Sequence, residues 1–318
     1  MSGTLVLVNA AAGGGRAGRF WQRLRPDAER LAALQVAAPA DAAASRRAVL
    51  DAVAAGTERI VVVGGDGTVH LVAGALLAAG AGGVVTLGVV PAGTGSDLAR
   101  ALAIPRDPRA ALQRALVGPP AALDAGRCEG AAATFTFVNV ASAGIGGLVD
   151  ETVNAMPRRG ATAFLLATLS ALRRYRCVPA RVTVDGEAWH EGPLFLLAVA
   201  NGSTFGKGMR IAPLARPDDG AFDVVLVGEV GGLELVRRLP QVYLGRHLGA
   251  RPVRYGRARS VHIEPLAPLP AFDVDGETYA SGPATFTLLP GALRVAAAAP
   301  TVAESDPRGD ESGSSGGR

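Results

Sequence analysis

Val61-Val62-Val63-Gly64-Gly65-Asp66-Gly67-Thr68 runs a β-branched strand straight into a turn made almost wholly of glycine. Three consecutive valines read as a buried strand. The glycines beyond them tolerate positive φ and let a phosphate approach backbone N–H groups without meeting a Cβ. Asp66 stands alone in that turn, where its charge would repel a bare phosphate. A divalent cation between the two anions resolves the conflict. A second loop of the same design follows one βα unit later: Leu87-Gly88-Val89-Val90-Pro91-Ala92-Gly93-Thr94-Gly95-Ser96-Asp97. Two glycine loops, each with an acid, at successive strand ends read as a nucleotide–metal site.

Outward from these loops, strand and helix alternate. Strand Thr4–Asn9, a helix near Arg19–Leu34, a short strand at Leu34–Ala37 and helix Asp41–Ala55 precede strand Arg59–Val63. Helix Val69–Ala79, strand Val84–Val90 and helices Ser96–Ala103 and Arg109–Leu116 follow it. This rhythm predicts an α/β domain over residues 1–123 with a mostly parallel sheet and ligands beyond its strands' carboxyl ends. After it the rhythm changes. Short strands at Phe135–Val140, Ala180–Val184, Leu194–Val199, Phe222–Val227, Ser260–Glu264, Phe272–Val274, Thr285–Leu289 and Leu293–Ala298 predict a β-sandwich domain over 124–300. Helices Thr162–Tyr175 and Leu233–Leu244 interrupt it, and the Ser-, Gly- and Asp-rich tail 301–318 is expected to be disordered.

Composition narrows the function classes. With 49% hydrophobic and 19% charged residues, the chain has the balance of a soluble globular protein, and 318 residues suffice for two domains. The net charge of +4 is spread out, with no Lys/Arg block among aromatics, so no nucleic-acid partner is expected. Cys128 and Cys177 are isolated and read as reduced thiols. Neither a leader peptide nor an 18-residue apolar run is present, and the expected location is cytoplasmic.

Six motifs occur in order: Asn9-Ala-Ala-Ala-Gly13, Gly64-Gly-Asp-Gly-Thr68, Pro91-Ala-Gly-Thr-Gly-Ser-Asp-Leu-Ala-Arg100, Asn201-Gly202, Asp218-Asp219-Gly220 and Asp275-Gly276-Glu277. Together they resemble the diacylglycerol kinase / sphingosine kinase superfamily, especially its soluble bacterial lipid kinases. The resemblance implies an NAD kinase/diacylglycerol kinase-like fold, with ATP phosphorylating a lipid hydroxyl, most simply a diacylglycerol, between the two domains. It implies ATP contacts from Asn9, Ala10, Ala11, Ala12, Gly13, Gly65, Asp66, Gly67, Thr68 and Thr94. Asp66, Asp97 and Asp219 would organise Mg2+, with backbone oxygens at Arg216 and Ala221, and Glu277 would be the base. The partner implied is a lipid at a membrane surface, with peripheral contact at the inner face and a homodimer left open. The chain departs from the family pattern at Ala10, where proline is usual, at Ser96 (asparagine), at His70-Leu71 (an asparagine–glutamate pair) and at Ala38 (threonine).

Several motifs have a plainer reading. Gly13-Gly-Gly15-Arg-Ala-Gly18 fits a dinucleotide fingerprint, but no acid ends the next strand. Gly202–Gly208 is one residue short of a P-loop and lacks its Ser/Thr. Asp275-Gly276 alone is an ordinary hairpin signal. His70 alone reads as a packing or surface histidine that could also face the nucleotide. Arg16 and Arg19 are placed to add cationic phosphate contacts. Ala161–Leu172 reads as a buried helix with a basic end, or as a lipid-facing one. NAD kinase-like chemistry on a soluble nucleotide, and a catalytically weak regulatory homologue, remain alternatives.

Overall fold

The computed structural model describes residues 3–93, 95–130, 134–156 and 161–297. Its first half runs β1 (Thr4–Val8), α1 (Ala12–Leu31), β2 (Leu34–Ala37), α2 (Ala42–Ala54), β3 (Arg59–Gly64), α3 (Asp66–Ala78), β4 (Thr86–Pro91), α4 (Asp97–Ala101) and α5 (Pro108–Val117). Then come β5 (Pro120–Gly130), β6 (Thr134–Phe137), β7 (Val140–Gly144), α6 (Ile145–Asn154) and α7 (Ala161–Arg174). Strands β8 (Val178–Val184), β9 (Glu187–Leu194), β10 (Leu196–Ala200) and β11 (Phe222–Val227) lead to α8 (Gly232–Tyr243). The chain closes with β12 (Val253–Ala258), β13 (Ser260–Pro265), β14 (Phe272–Val274), β15 (Glu277–Tyr279) and β16 (Ala284–Ala296).

The valine runs do what their pattern predicts. β2, β1, β3 and β4 pair in parallel. Side chains alternate across a strand, so Ile60 and Val62 join one core with Val72 and Leu76 of α3. Val61 and Val63 join the opposite core with Trp21 of α1 and Leu112 of α5. Both faces of the parallel sheet are therefore covered by helices, as such sheets require. In the second half, a six-stranded sheet of order β12-β11-β10-β7-β14-β15 packs its Leu197, Val199, Phe222 and Val224 against Phe137 and Phe286. Its other face, with Ala198, Ala200 and Val225, lies under Ile145 and Val149 of α6 and Ala171 of α7. The architecture is α/β followed by a mostly antiparallel sandwich, as expected.

The differences lie at boundaries. The range of α1 opens at Ala12, but Gly13, Gly14 and Gly15 take left-handed φ of 61°, 69° and 82° and kink the chain there, so the regular helix runs only from beyond them, near the expected start at Arg19. α3 starts at Asp66 rather than Val69, so the first acid sits in a helix's first turn. The sequence reading missed β5, β9, β12, β15 and α6, and its strand Phe135–Val140 covers most of β6 but reaches β7 only at Val140. The expected Thr285–Leu289 strand and the described part of Leu293–Ala298 form one strand, β16, with an irregularity between Leu289 and Leu293. β16 pairs in parallel with β4 through Arg294 and Val295, and antiparallel with β5 and β13. One ten-stranded sheet thus runs through both halves of the chain. The tail 301–318, Thr94 and residue 298 lie outside the described residues.

Candidate active site

Three loops nest at the carboxyl ends of β1, β3 and β4. A Cβ on Gly93 would lie 2.6 Å from the Cα of Gly65, and one on Gly13 would lie 2.7 Å from the Ala92 carbonyl oxygen. Only glycine permits this approach, which brings backbone N–H groups of successive loops into one wall. Asn9 Nδ2 donates to Thr68 Oγ1 at 2.9 Å, joining the first loop to the second. Asp66 joins the second to the third: its carboxylate accepts from the amides of Asp97 and Leu98 at 3.2 and 3.4 Å. Burial raises the Asp66 carboxyl above its usual range, and the charge of Asp97 adds to the rise. Burial likewise raises Asp97, against the Arg100 guanidinium and the Lys207 amide, which donates to it at 2.8 Å.

Asn9, Ala11, Ala12, Gly13, Gly65, Asp66, Gly67, Thr68 and Asp97 all line one cleft of about 1630 Å3. Glu277 lines it too. A Cβ on Gly67 would lie 2.9 Å from Glu277 Oε1, so this carboxylate stands directly over the phosphate-type loop. Ala10 does not face the cleft; it packs against Gly18. Arg16 folds back, its Nε donating to the Gly13 carbonyl at 3.0 Å, and so braces the first loop. The same cleft is also lined by Val149, Leu172, Phe195, Ile211, Val230 and Val242, which belong to one apolar cluster.

Glu277 opens β15 after a two-residue turn in which Asp275 and Gly276 both take positive φ, 53° and 88°. That is the Asp-Gly hairpin turn expected from the sequence. The structure adds what the sequence did not show. Asp275 accepts from the backbone amides of Val138, Asn139 and Val140 at 2.9, 3.0 and 3.0 Å and from His70 Nδ1 at 3.0 Å. His70 Nε2 lies 3.0 Å from the Tyr279 hydroxyl. Beneath the hairpin, Asp273 is fully enclosed against Asp150. Burial raises both carboxyls, and the Asp150 charge pushes Asp273 further above the carboxylate range. No spacing signal joins residues so far apart in sequence.

Arg216, Asp219 and Ala221 are not among the cleft's lining residues. Their turn is pinned by Asp124, another acid the sequence reading passed over, which accepts from the amides of Gly220 and Gly291 at 2.8 and 2.7 Å. The only signal for Asp124 was an acid in an apolar run, Ala122-Leu-Asp-Ala-Gly126. A resident cation at this turn would need the Asp219 carboxylate. One of its oxygens is held by the Arg257 guanidinium, and the other accepts from the Ala221 amide at 3.3 Å. Arg259 Nε also donates to the Gly220 carbonyl at 3.2 Å. Among the described residues no cluster of three His, Cys, Asp or Glu is arranged for a metal. The residues as arranged here do not fit a bound Mg2+, because one Asp219 oxygen is taken by the Arg257 guanidinium and the other by the Ala221 amide, and Arg259 occupies the Gly220 carbonyl.

Residues 3–128 match the family model described as the diacylglycerol kinase catalytic domain. Residues 139–297 match the one described as the YegS C-terminal NAD kinase beta sandwich-like domain. Over 260 residues the chain is 33% identical to a Mycobacterium tuberculosis protein named diacylglycerol kinase, spanning 80% of this chain and 82% of that protein. A Chromohalobacter salexigens protein named "Probable lipid kinase YegS-like" is 32% identical over 254 residues, 79% of each chain. The crystal structure of a diacylglycerol kinase from Bacillus anthracis superposes with a TM-score of 0.72 at 20% identity, over 93% of this chain and 97% of that one. At that identity the likeness speaks to the fold.

Proposed function

The chain belongs to the diacylglycerol kinase family, and we propose that it transfers the γ-phosphoryl group of magnesium-bound ATP to the hydroxyl of a diacylglycerol-like lipid. The observation that carries this reading is the Glu277 carboxylate standing over Gly67 in a cleft that both the glycine loops and a cluster of apolar side chains line. Phosphoryl transfer asks a protein mainly for positioning and charge neutralisation. The N–H groups of the nested loops would hold the phosphates, and the metal carried by the nucleotide would meet Asp66 and Asp97. The lipid oxygen then forms its bond to γ-phosphorus as the bond to the ADP oxygen breaks, and its proton passes to Glu277. Thr94 would complete the nucleotide contacts.

That apolar cluster supports an acyl-bearing acceptor. No helix among the described residues is long and apolar enough to cross a membrane. Exposed Leu214, Tyr243 and Leu244 stand where the 210–214 segment meets the end of α8, close to Val242 of the cluster. They support peripheral contact with a bilayer.

The test is labelled γ-phosphate ATP with magnesium and a panel of diacylglycerol, sphingoid base, ceramide, phosphatidylglycerol and NAD. Label should enter the organic phase with diacylglycerol. Label found only on NAD would replace the reading by the soluble-nucleotide alternative. Glu277→Gln should lower kcat by roughly 10²–10⁴-fold, with KM for ATP little changed.

A further inference from the structure

His70 is a polar group of the cleft to which the proposed chemistry gives no task. It lies in α3, one turn past Asp66 and Gly67, and its two nitrogens reach Asp275 and Tyr279, both at 3.0 Å. These partners flank Glu277 on one hairpin, two residues before it and two after. Side chains two apart on a strand share a face, so Glu277 and Tyr279 project together. The hairpin end is itself anchored: Asp275 takes three backbone amides at the β6–β7 junction, and the Tyr279 ring stacks on Phe135 with centroids 4.4 Å apart. The His70 and Asp275 side chains are 11% and 3% exposed, so the bond between them is sheltered from bulk water. One imidazole therefore bridges the helix that carries the phosphate-type loop and the hairpin that carries the proposed base.

We propose that His70 is a positioning residue: it sets the distance between Glu277 and the nucleotide loop, and thereby the alignment of acceptor hydroxyl and γ-phosphate. This rests on the assignment of Glu277 as base. The hydrogen bonds survive titration. The imidazolium donates from both nitrogens; the neutral ring donates from Nδ1 to Asp275 and accepts the Tyr279 O–H at Nε2. What changes is charge. The groups facing it are Asp275, Glu277 and Tyr279 on the hairpin and Arg46 on α2. Burial works against the imidazolium, but the Asp275 hydrogen bond and the charges of Asp275 and Glu277 outweigh it, so His70 titrates above its ordinary 6.5.

The experiment is steady-state kinetics of the full chain with ATP and dispersed diacylglycerol, from pH 5.5 to 9, for wild type, His70→Phe, His70→Asn, Tyr279→Phe and Glu277→Gln. Loss of alignment by about an ångström costs on the order of 10²-fold in rate. His70→Phe should show that loss in kcat while KM for ATP stays within about twofold. His70→Asn, which still offers an N–H to Asp275, should recover most of kcat, and its pH profile should lack an ionisation above 6.5 that wild type shows. If His70→Phe does not fold, Tyr279→Phe carries the test, since it removes one hydroxyl: a fall in kcat at normal KM supports the proposal. Wild-type kcat in His70→Phe or Tyr279→Phe, with Glu277→Gln inactive, would overturn the positioning role alone. Wild-type kcat in Glu277→Gln would instead bring down the base assignment beneath it.

Discussion

Ser96 holds φ at 57°, in the left-handed region, immediately before α4 begins at Asp97. A side chain other than glycine costs roughly 1–2 kcal/mol there, and asparagine is among the few that relieve part of it. Ser96→Asn should therefore stabilise the protein by about 0.5–1 kcal/mol, read as a higher denaturation midpoint at unchanged slope. Asp273 gives a second expectation at this scale. Its folded pKa is raised well above 3.8, first by burial and then by Asp150. A raised pKa contributes stability that is complete below the unfolded value and is lost as pH climbs through the folded one. Each pH unit in that window costs ~1.4 kcal/mol. Asp273→Asn removes the titrating group, so its melting temperature should fall less between pH 5 and pH 8 than that of wild type. Equal falls would mean that Asp273 ionises freely. Residues of this kind mark the limit of sequence reading. Asp66 was legible because its glycine loop is local, whereas Glu277 was singled out only through the resemblance, its Asp-Gly turn alone reading as a hairpin. Asp275 was not legible, because an acid in an Asp-Gly turn looks the same whether or not three distant amides point at it.

Among the elements, the valine-rich strands and their following helices were legible because each face repeats a local pattern. β5 was read as a domain boundary because its 11 residues carry an alternation broken by Pro120, Asp124 and Gly126. α6 was missed because Gly146 and Gly147 open it; a Cβ on Gly147 would lie 1.7 Å from the Ala271 carbonyl oxygen. Close packing, which the sequence does not display, selects those glycines. The turn from Arg216 to Ala221 is where resemblance and structure part. With Arg257 on its carboxylate, wild type should melt at the same temperature with and without millimolar magnesium when no nucleotide is present. Arg257→Ala should melt slightly lower, since a pair this exposed contributes only about 0.2–1 kcal/mol, and should regain the loss as magnesium binds the freed Asp219. A magnesium-dependent rise in wild type, abolished by Asp219→Asn, would show that the cation displaces the arginine.

At the scale of the whole molecule, the two halves share one sheet. Residues 1–123 read in sequence as a self-contained α/β unit, because nothing local announces that a strand from the far end of the chain completes it. β16 lies beside β4, with Arg294 opposite Thr86 and Val295 opposite Leu87. Leu293 and Val295, at 0% and 4% exposure, are built into the same core as Leu7, Ile60 and Leu76. Full burial of each such side chain contributes about 1.5–3 kcal/mol, a large share of the 5–15 kcal/mol that holds a domain folded. Without β16 the β4 edge would also present unpaired N–H and C=O groups. The fragment 1–123, expressed alone, should therefore fail to fold cooperatively: its circular dichroism should melt without a sigmoidal transition, and its amides should exchange rapidly. Mixing it with a fragment 124–297 that supplies β16 should restore a cooperative transition. A fragment 1–123 that melts sharply by itself would mean that the α/β unit is autonomous and that β16 merely docks on a finished edge.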